Sequence, residues 1–200
     1  MAGFFASYGF SAYSSISTYS ALRSPILPAF MPRPGVHQKG WGGPYANNSM
    51  FGGIGPDVQR GGSGYRVNNY MNGRWGNDLQ IGGNGFGTRN TMVGASGSDR
   101  QIGGGFGTQN IFRPGTGNNV VTTRPGSNNY VDLSTFDNKY GNNIVNGAAG
   151  RTTVNVSNYR GDNTILNLNK NDTIQYNPFT GINPNVTVNG NPRYQPLFII

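Results

Sequence analysis

In the second half of the chain apolar and polar residues take turns. Val154-Asn155-Val156 alternates, Ile165, Leu166 and Leu168 line a short run, and Val186 and Val188 alternate again. A period of two places the apolar residues on one face of an extended strand. Five runs read as strands on this pattern: YVDLSTF from Tyr130, RTTVNVSN from Arg151, NTILNLN from Asn163, DTIQYN from Asp172 and NVTVNGN from Asn185. Asn, Gly and Asp separate them, as turns require. Asn143-Ile144, Thr164-Ile165 and Asn185-Val186 read as equivalent points on a beat of about 20 to 23 residues.

Residues 36–112 repeat more strictly. Gln38, Gln59, Gln80 and Gln101 are each 21 residues apart, and a glycine follows two residues after each, at Gly40, Gly61, Gly82 and Gly103. Asp57, Asp78 and Asp99 precede three of the glutamines by two residues, and an aromatic closes each Gly cluster, at Tyr45, Tyr65, Phe86 and Phe106. The last two copies differ mainly by one deleted residue.

A period near 21 fits a strand, a turn, a second strand and a return turn. Such a unit cannot bury its apolar face alone, so units stack. The predicted fold class is therefore all-β: a Gly/Asn-rich repeat built as a β-solenoid of stacked strand-turn-strand coils, with an extended N-terminal arm. About seven coils fit between residues 36 and 190, a rod of roughly 30–35 Å at a rise of ~4.8 Å per coil. Stacking sets Gln38, Gln59, Gln80 and Gln101 above one another as amide ladders. The turn glycines Gly40, Gly61, Gly82 and Gly103 are expected where φ is positive or backbones approach closely. A second reading of residues 36–112, as a Gly-rich linker to a folded part, stands beside this one.

The segment Val154 to Leu168 resembles the strand-turn-strand unit of curli-type amyloid subunits, which carry Gln-x-Gly-x-x-Asn at the turn. Here Asn158-Tyr159-Arg160-Gly161-Asp162-Asn163 keeps the terminal Asn and moves the Gly by one place. The Gln-x-Gly pairs at 38–40, 59–61, 80–82 and 101–103 are similar to that turn without its Asn. The resemblance covers about half the chain and implies a self-assembling extracellular fibre subunit.

Four parts follow: an aromatic and Ser-rich arm with a Pro-rich linker at 1–35, Gly-rich repeats at 36–112, Asn-rich strand repeats at 113–190 and an apolar tail at 191–200. The arm offers Phe4, Phe5, Tyr8 and Phe10 as anchors for a partner subunit, and the tail offers Leu197, Phe198, Ile199 and Ile200. The start lacks the basic region of a conventional signal peptide. An extracellular fibre or a virus particle is the expected setting.

Composition narrows the chemistry. The 200 residues include 33 Gly and no Cys, one His (His37) and no Glu. Helix formers are scarce, so helix is expected below about a tenth of the chain. No disulfide or thiolate metal site is available, no paired-carboxylate site stands out, and no apolar run is long enough for a membrane helix. The Gly clusters lack the Lys-Ser/Thr of a phosphate loop and the Asp of a calcium repeat. Arg160-Gly161-Asp162 spells a cell-adhesion tripeptide, made of three common residues.

The net charge of +8 comes from scattered residues, 12 of the 15 being arginine. A 21-residue coil would align some of them, Lys39 with Arg60 for example, and Arg60 and Arg66 flank a Gly-rich segment with Tyr65 between. Lys39, Arg60, Arg66 and Arg74 are thus candidate contacts for a polyanion, nucleic acid or acidic polysaccharide. The expectation is a non-enzymatic structural subunit without cofactor or small-molecule substrate, whose partners are copies of itself or other subunits of a large assembly. The alternative is a basic surface that binds polyanions.

Overall fold

Every circuit of the chain lays down two strands, each in a different sheet, and in all but the last two circuits the second strand is the longer. The computed structural model describes residues 35–134, 141–147, 150–157, 164–183 and 185–196. The first sheet holds β1 (His37–Lys39), β3 (Val58–Arg60), β5 (Leu79–Ile81), β7 (Arg100–Ile102), β9 (Asn119–Thr122), β11 (Asn143–Asn146), β13 (Thr164–Asn167) and β15 (Val186–Asn189), in that spatial order. The second holds β2 (Asn47–Phe51), β4 (Asn68–Asn72), β6 (Arg89–Val93), β8 (Gln109–Arg113), β10 (Asn128–Asp132), β12 (Arg151–Asn155), β14 (Thr173–Tyr176) and β16 (Arg193–Pro196). All neighbours within a sheet are parallel. This is a β-solenoid, with no helix among the described residues. Its eight-stranded sheets give seven coil-to-coil steps, about 34 Å at ~4.8 Å each.

The Gly-rich segment is coiled, not a linker. Gln38 pairs in register with Gln59, Gln59 with Gln80, and Gln80 with Gln101. Both sheets run on past residue 112, β7 pairing with β9 and β8 with β10. The composition changes there because the core changes. Gln101 lies beside Val121, and the column continues through Val145, Leu166 and Val188. The facing column of the second sheet runs Met50, Met71, Met92, Phe112, Val131, Val154, Ile174. These two columns form most of the core. One expected register is off by one place: Thr164 pairs with Val186, so Asn185 falls outside β15.

The corners need glycine for two different reasons. Gly40, Gly61 and Gly82 do not have positive φ. A Cβ at Gly61 would lie 2.7 Å from the nitrogen of Gly83 and 2.8 Å from the Asn69 amide, so close approach is the constraint. At the opposite corner Gly76, Gly97 and Gly141 have φ of 134, 135 and 138°. A Cβ on Gly97 would stand 1.7 Å from the Gly76 carbonyl oxygen. The single-residue deletion noted above falls in a corner: Asn110 reaches back six residues to Gly104, where Asn90 reaches back seven to Gly83.

Gly97→Ala is expected to cost at least about 2 kcal/mol, from the forced φ and the clash. Gly53→Ala, where a Cβ meets nothing within 4 Å, serves as the control and is expected to stay within about 0.5 kcal/mol of the parent. Paired denaturant melts check both.

Candidate functional site

Three features of the rod bear on function: its buried polar ladders, its corners and its two outer faces. The Gln ladder is fully buried at Gln59, Gln80 and Gln101. Each glutamine donates Nε2–H to the Oε1 of the preceding coil, at 3.0 Å from Gln59 to Gln38, 2.9 Å from Gln80 to Gln59 and 2.8 Å from Gln101 to Gln80. The second amide hydrogen goes to a corner carbonyl, Asn72 for Gln59 and Val93 for Gln80. Burying an amide is costly unless it is paired, and the stack pairs it. The ladder stops at Gln101, whose Oε1 has no donor among the described residues because the next residue in the column is Val121.

A second ladder runs the other way. Asn48, Asn69, Asn90 and Asn110 each donate Nδ2–H to the Oδ1 of the following coil's asparagine, at 2.8, 2.8, 2.8 and 2.9 Å, ending on Asn129. Each also makes a two-way bond with its own corner backbone, as Asn69 does with the N–H and C=O of Gly62. Gly61 and Gly82 sit beside these amides, which explains their missing side chains.

The aspartates form a third column. Oδ1 of Asp78 accepts the N–H of Asp57, Oδ1 of Asp99 accepts that of Asp78, and Oδ1 of Asn119 accepts that of Asp99. The three acids are buried, and the Oδ2 atoms of Asp78 and Asp99 have no hydrogen-bond partner among the described residues. Loss of water raises Asp78 from 3.8 to about 6 and Asp99 to about 7; backbone N–H donors oppose this and the neighbouring carboxylate adds to it. Asn119 does the same structural work uncharged, and its Nδ2 donates to the carbonyls of Gly115 and Gly117 and to Asn143.

The four basic residues singled out in the sequence do not form one stripe. Lys39 and Arg60 are neighbours on the outside of the first sheet, but the column continues as Ile81 and Ile102. Arg66 lies at one corner with φ of 53° and its guanidinium 5.1 Å over the Tyr65 ring. Arg74 lies at the other corner with φ of 70°, 5.4 Å over Phe51. Outward positions carry no packing constraint, so the repeat does not propagate charge along them. The corner aromatics stack in part: Tyr65 and Phe86 lie 6.4 Å apart and nearly parallel. Tyr45 falls one place out, at the left-handed position that Arg66, Gly87 and Gly107 occupy in later coils, yet its ring meets Tyr65 edge-on at 5.6 Å.

The anchors Phe4, Phe5, Tyr8, Phe10 and Leu197, Phe198, Ile199 and Ile200 lie outside the described residues, as does the Asn158–Asn163 turn that carries the curli resemblance. Among the described residues no group of three or more His, Cys, Asp or Glu could hold a metal ion, and no helix is long and apolar enough to cross a membrane. The chain matches no family model, no curated protein and no solved structure.

What sequence reading missed are the outer faces. The outside of the first sheet carries Val58, Leu79, Arg100, Val120, Ile144 and Ile165 in one column, aliphatic but for Arg100, and Ile81 and Ile102 in the next. The outside of the second sheet is mainly polar, with Asn47, Asn68, Arg89, Gln109, Asn128 and Arg151 in one column.

Two predictions follow from the ladders. The native protein holds protons on Asp78 and Asp99 that the unfolded chain has released between pH about 4 and 7. Stability should therefore fall as pH rises through that window. Asp99→Asn should raise the melting temperature at pH 8 and flatten the pH profile, read by differential scanning calorimetry. Gln80→Val should cost about 2–3 kcal/mol, since it leaves the buried Gln59 Oε1 without its donor and the buried Gln101 amide without its acceptor. Gln101→Val should cost less than half as much in the same melts, because it only moves an existing ladder end back by one coil.

Proposed function

We propose that the chain is a non-enzymatic structural subunit that packs against copies of itself in a larger assembly. The observation that carries this reading is the aliphatic strip on the outside of the first sheet. It runs from Val58 to Ile165 over five coil steps, about 24 Å, broken once by Arg100 between Leu79 and Val120, on a face covered by no other described element. A largely aliphatic sheet face on a rod is a packing surface for another sheet at about 10 Å separation.

The strip is narrow, because the first strands of the sheet are only three residues long. It suits a contact repeated between many subunits better than a lone tight dimer. The first coil supports growth in the second direction. Among the described residues β1 and β2 pair on one side only, and their coil is ringed by exposed Trp41, Tyr45, Phe51 and Ile54. Open edge strands invite pairing with another chain.

Sedimentation velocity over a concentration series is the test. The parent chain is expected to associate, and to do so equally at about 0.1 and 1 M salt, since apolar packing is not screened. Leu79→Lys with Ile144→Lys places charge on the strip without touching the core and should leave a folded monomer by circular dichroism. A parent chain that stays monomeric at every concentration, or an association that salt abolishes, overturns the reading.

A further inference from the structure

The outer face of the second sheet repeats itself at a longer interval than the coil. Its first column reads Asn47, Asn68, Arg89 and then Gln109, Asn128, Arg151: two amides and a guanidinium, twice. The adjacent column reads Ser49, Tyr70, Thr91 and then Ile111, Tyr130, Thr153, so a tyrosine stands beside the second amide and a threonine beside the arginine both times. Each tyrosine hydroxyl accepts from an asparagine amide, though from different places: Asn72, two residues on in the same strand, donates to Tyr70 at 3.5 Å, and Asn155, on the following coil, donates to Tyr130 at 3.2 Å. Each phenol keeps its own hydrogen to donate. The two sets line shallow grooves of nearly equal size, about 270 and 290 Å³.

We propose that these two grooves are equivalent subsites for one linear, sparsely anionic glycan lying along the rod axis. The residue types give the class. Asparagine amides and tyrosine and threonine hydroxyls donate to and accept from sugar hydroxyls, the phenol ring offers a flat face to a sugar ring, and a guanidinium grips a carboxylate or sulfate by two parallel bonds. Arg89 lies between Asn68 and Gln109 in its column and Arg151 beside Asn128, so amides rather than carboxylates adjoin both along the described register.

The spacing separates this ligand from nucleic acid. Arg89 and Arg151 are three coil steps apart, about 14 Å, with uncharged Gln109 and Asn128 between. A nucleic-acid strand carries a phosphate at every nucleotide, and its binding is dominated by closely spaced cations. Arg113, outward in the third column, adds a cation between them and Asp132 an acid on the next strand; sparse charge set among amides and hydroxyls suits a chain that is mostly hydroxyl and only periodically charged.

Two rigidly linked subsites make a stoichiometric prediction. Titration calorimetry of the full chain would use a hyaluronan disaccharide, a hyaluronan hexasaccharide and a six-nucleotide oligothymidine. The disaccharide, short enough to lie within one subsite, is expected to fill two sites per chain. The hexasaccharide is expected to bind once per chain and at least about tenfold tighter, because the second contact becomes intramolecular. Arg89→Gln or Arg151→Gln should each reduce the disaccharide count from two to one and remove the gain from chain length. Tyr70→Phe, which deletes only a hydroxyl, should weaken one of the two sites. No heat with either glycan, a count unchanged by both arginine substitutions, or tighter binding of the oligothymidine than of the hexasaccharide would overturn the proposal.

Discussion

Register between successive coils is the constraint on which this protein depends. In a parallel stack every residue lies above its own equivalent, so a side chain must interact well with a copy of itself. Amides satisfy that condition, because each carries both a donor and an acceptor. A column of glutamine from Gln38 to Gln101 and one of asparagine from Asn48 to Asn129 can therefore occupy the inside of a thin rod. A slip of one residue would break both and point every core side chain outwards. The ladders supply the specificity that a core of Met71, Met92 and their neighbours, soft and adaptable, does not.

Carboxylates are poor members of such columns, and the aspartate stack shows it. Asp57, Asp78 and Asp99 each do useful work at Oδ1 or at the backbone N–H, but two of them leave Oδ2 unmet in a buried corner. Where the column passes to Asn119 the same backbone bond is kept without the charge. The chain thus contains both the strained and the relaxed version of one corner, one coil apart.

The strict 21-residue interval made the stacked glutamines legible, since register demands equal spacing. Strands from Tyr130 onwards were legible because apolar inward residues such as Val131 and Val154 alternate with polar outward ones. The earlier strands were hidden for the same physical reason that stabilises them: their inward positions are Gln and Asn, so hydropathy shows no alternation. The methionine column was available in principle, since Met50, Met71 and Met92 keep the same interval as the glutamines. Alignment of basic residues failed after Lys39 and Arg60 because outward side chains do not have to match their neighbours. The paired sets on the second sheet escaped notice because their members lie 60 and 62 residues apart, Asn68 to Asn128 and Arg89 to Arg151, across corners of unequal length.

The two amide ladders point in opposite directions, the glutamines donating towards the N-terminal end and the asparagines towards the C-terminal end. An α-helix aligns its peptide dipoles and accumulates partial charge at its ends. Here each coil adds two side-chain dipoles that largely cancel. Lengthening the stack builds up little axial field from these amides, so adding coils carries no electrostatic penalty that grows with length. A rod wired in this way can vary its number of repeats without changing the character of its ends.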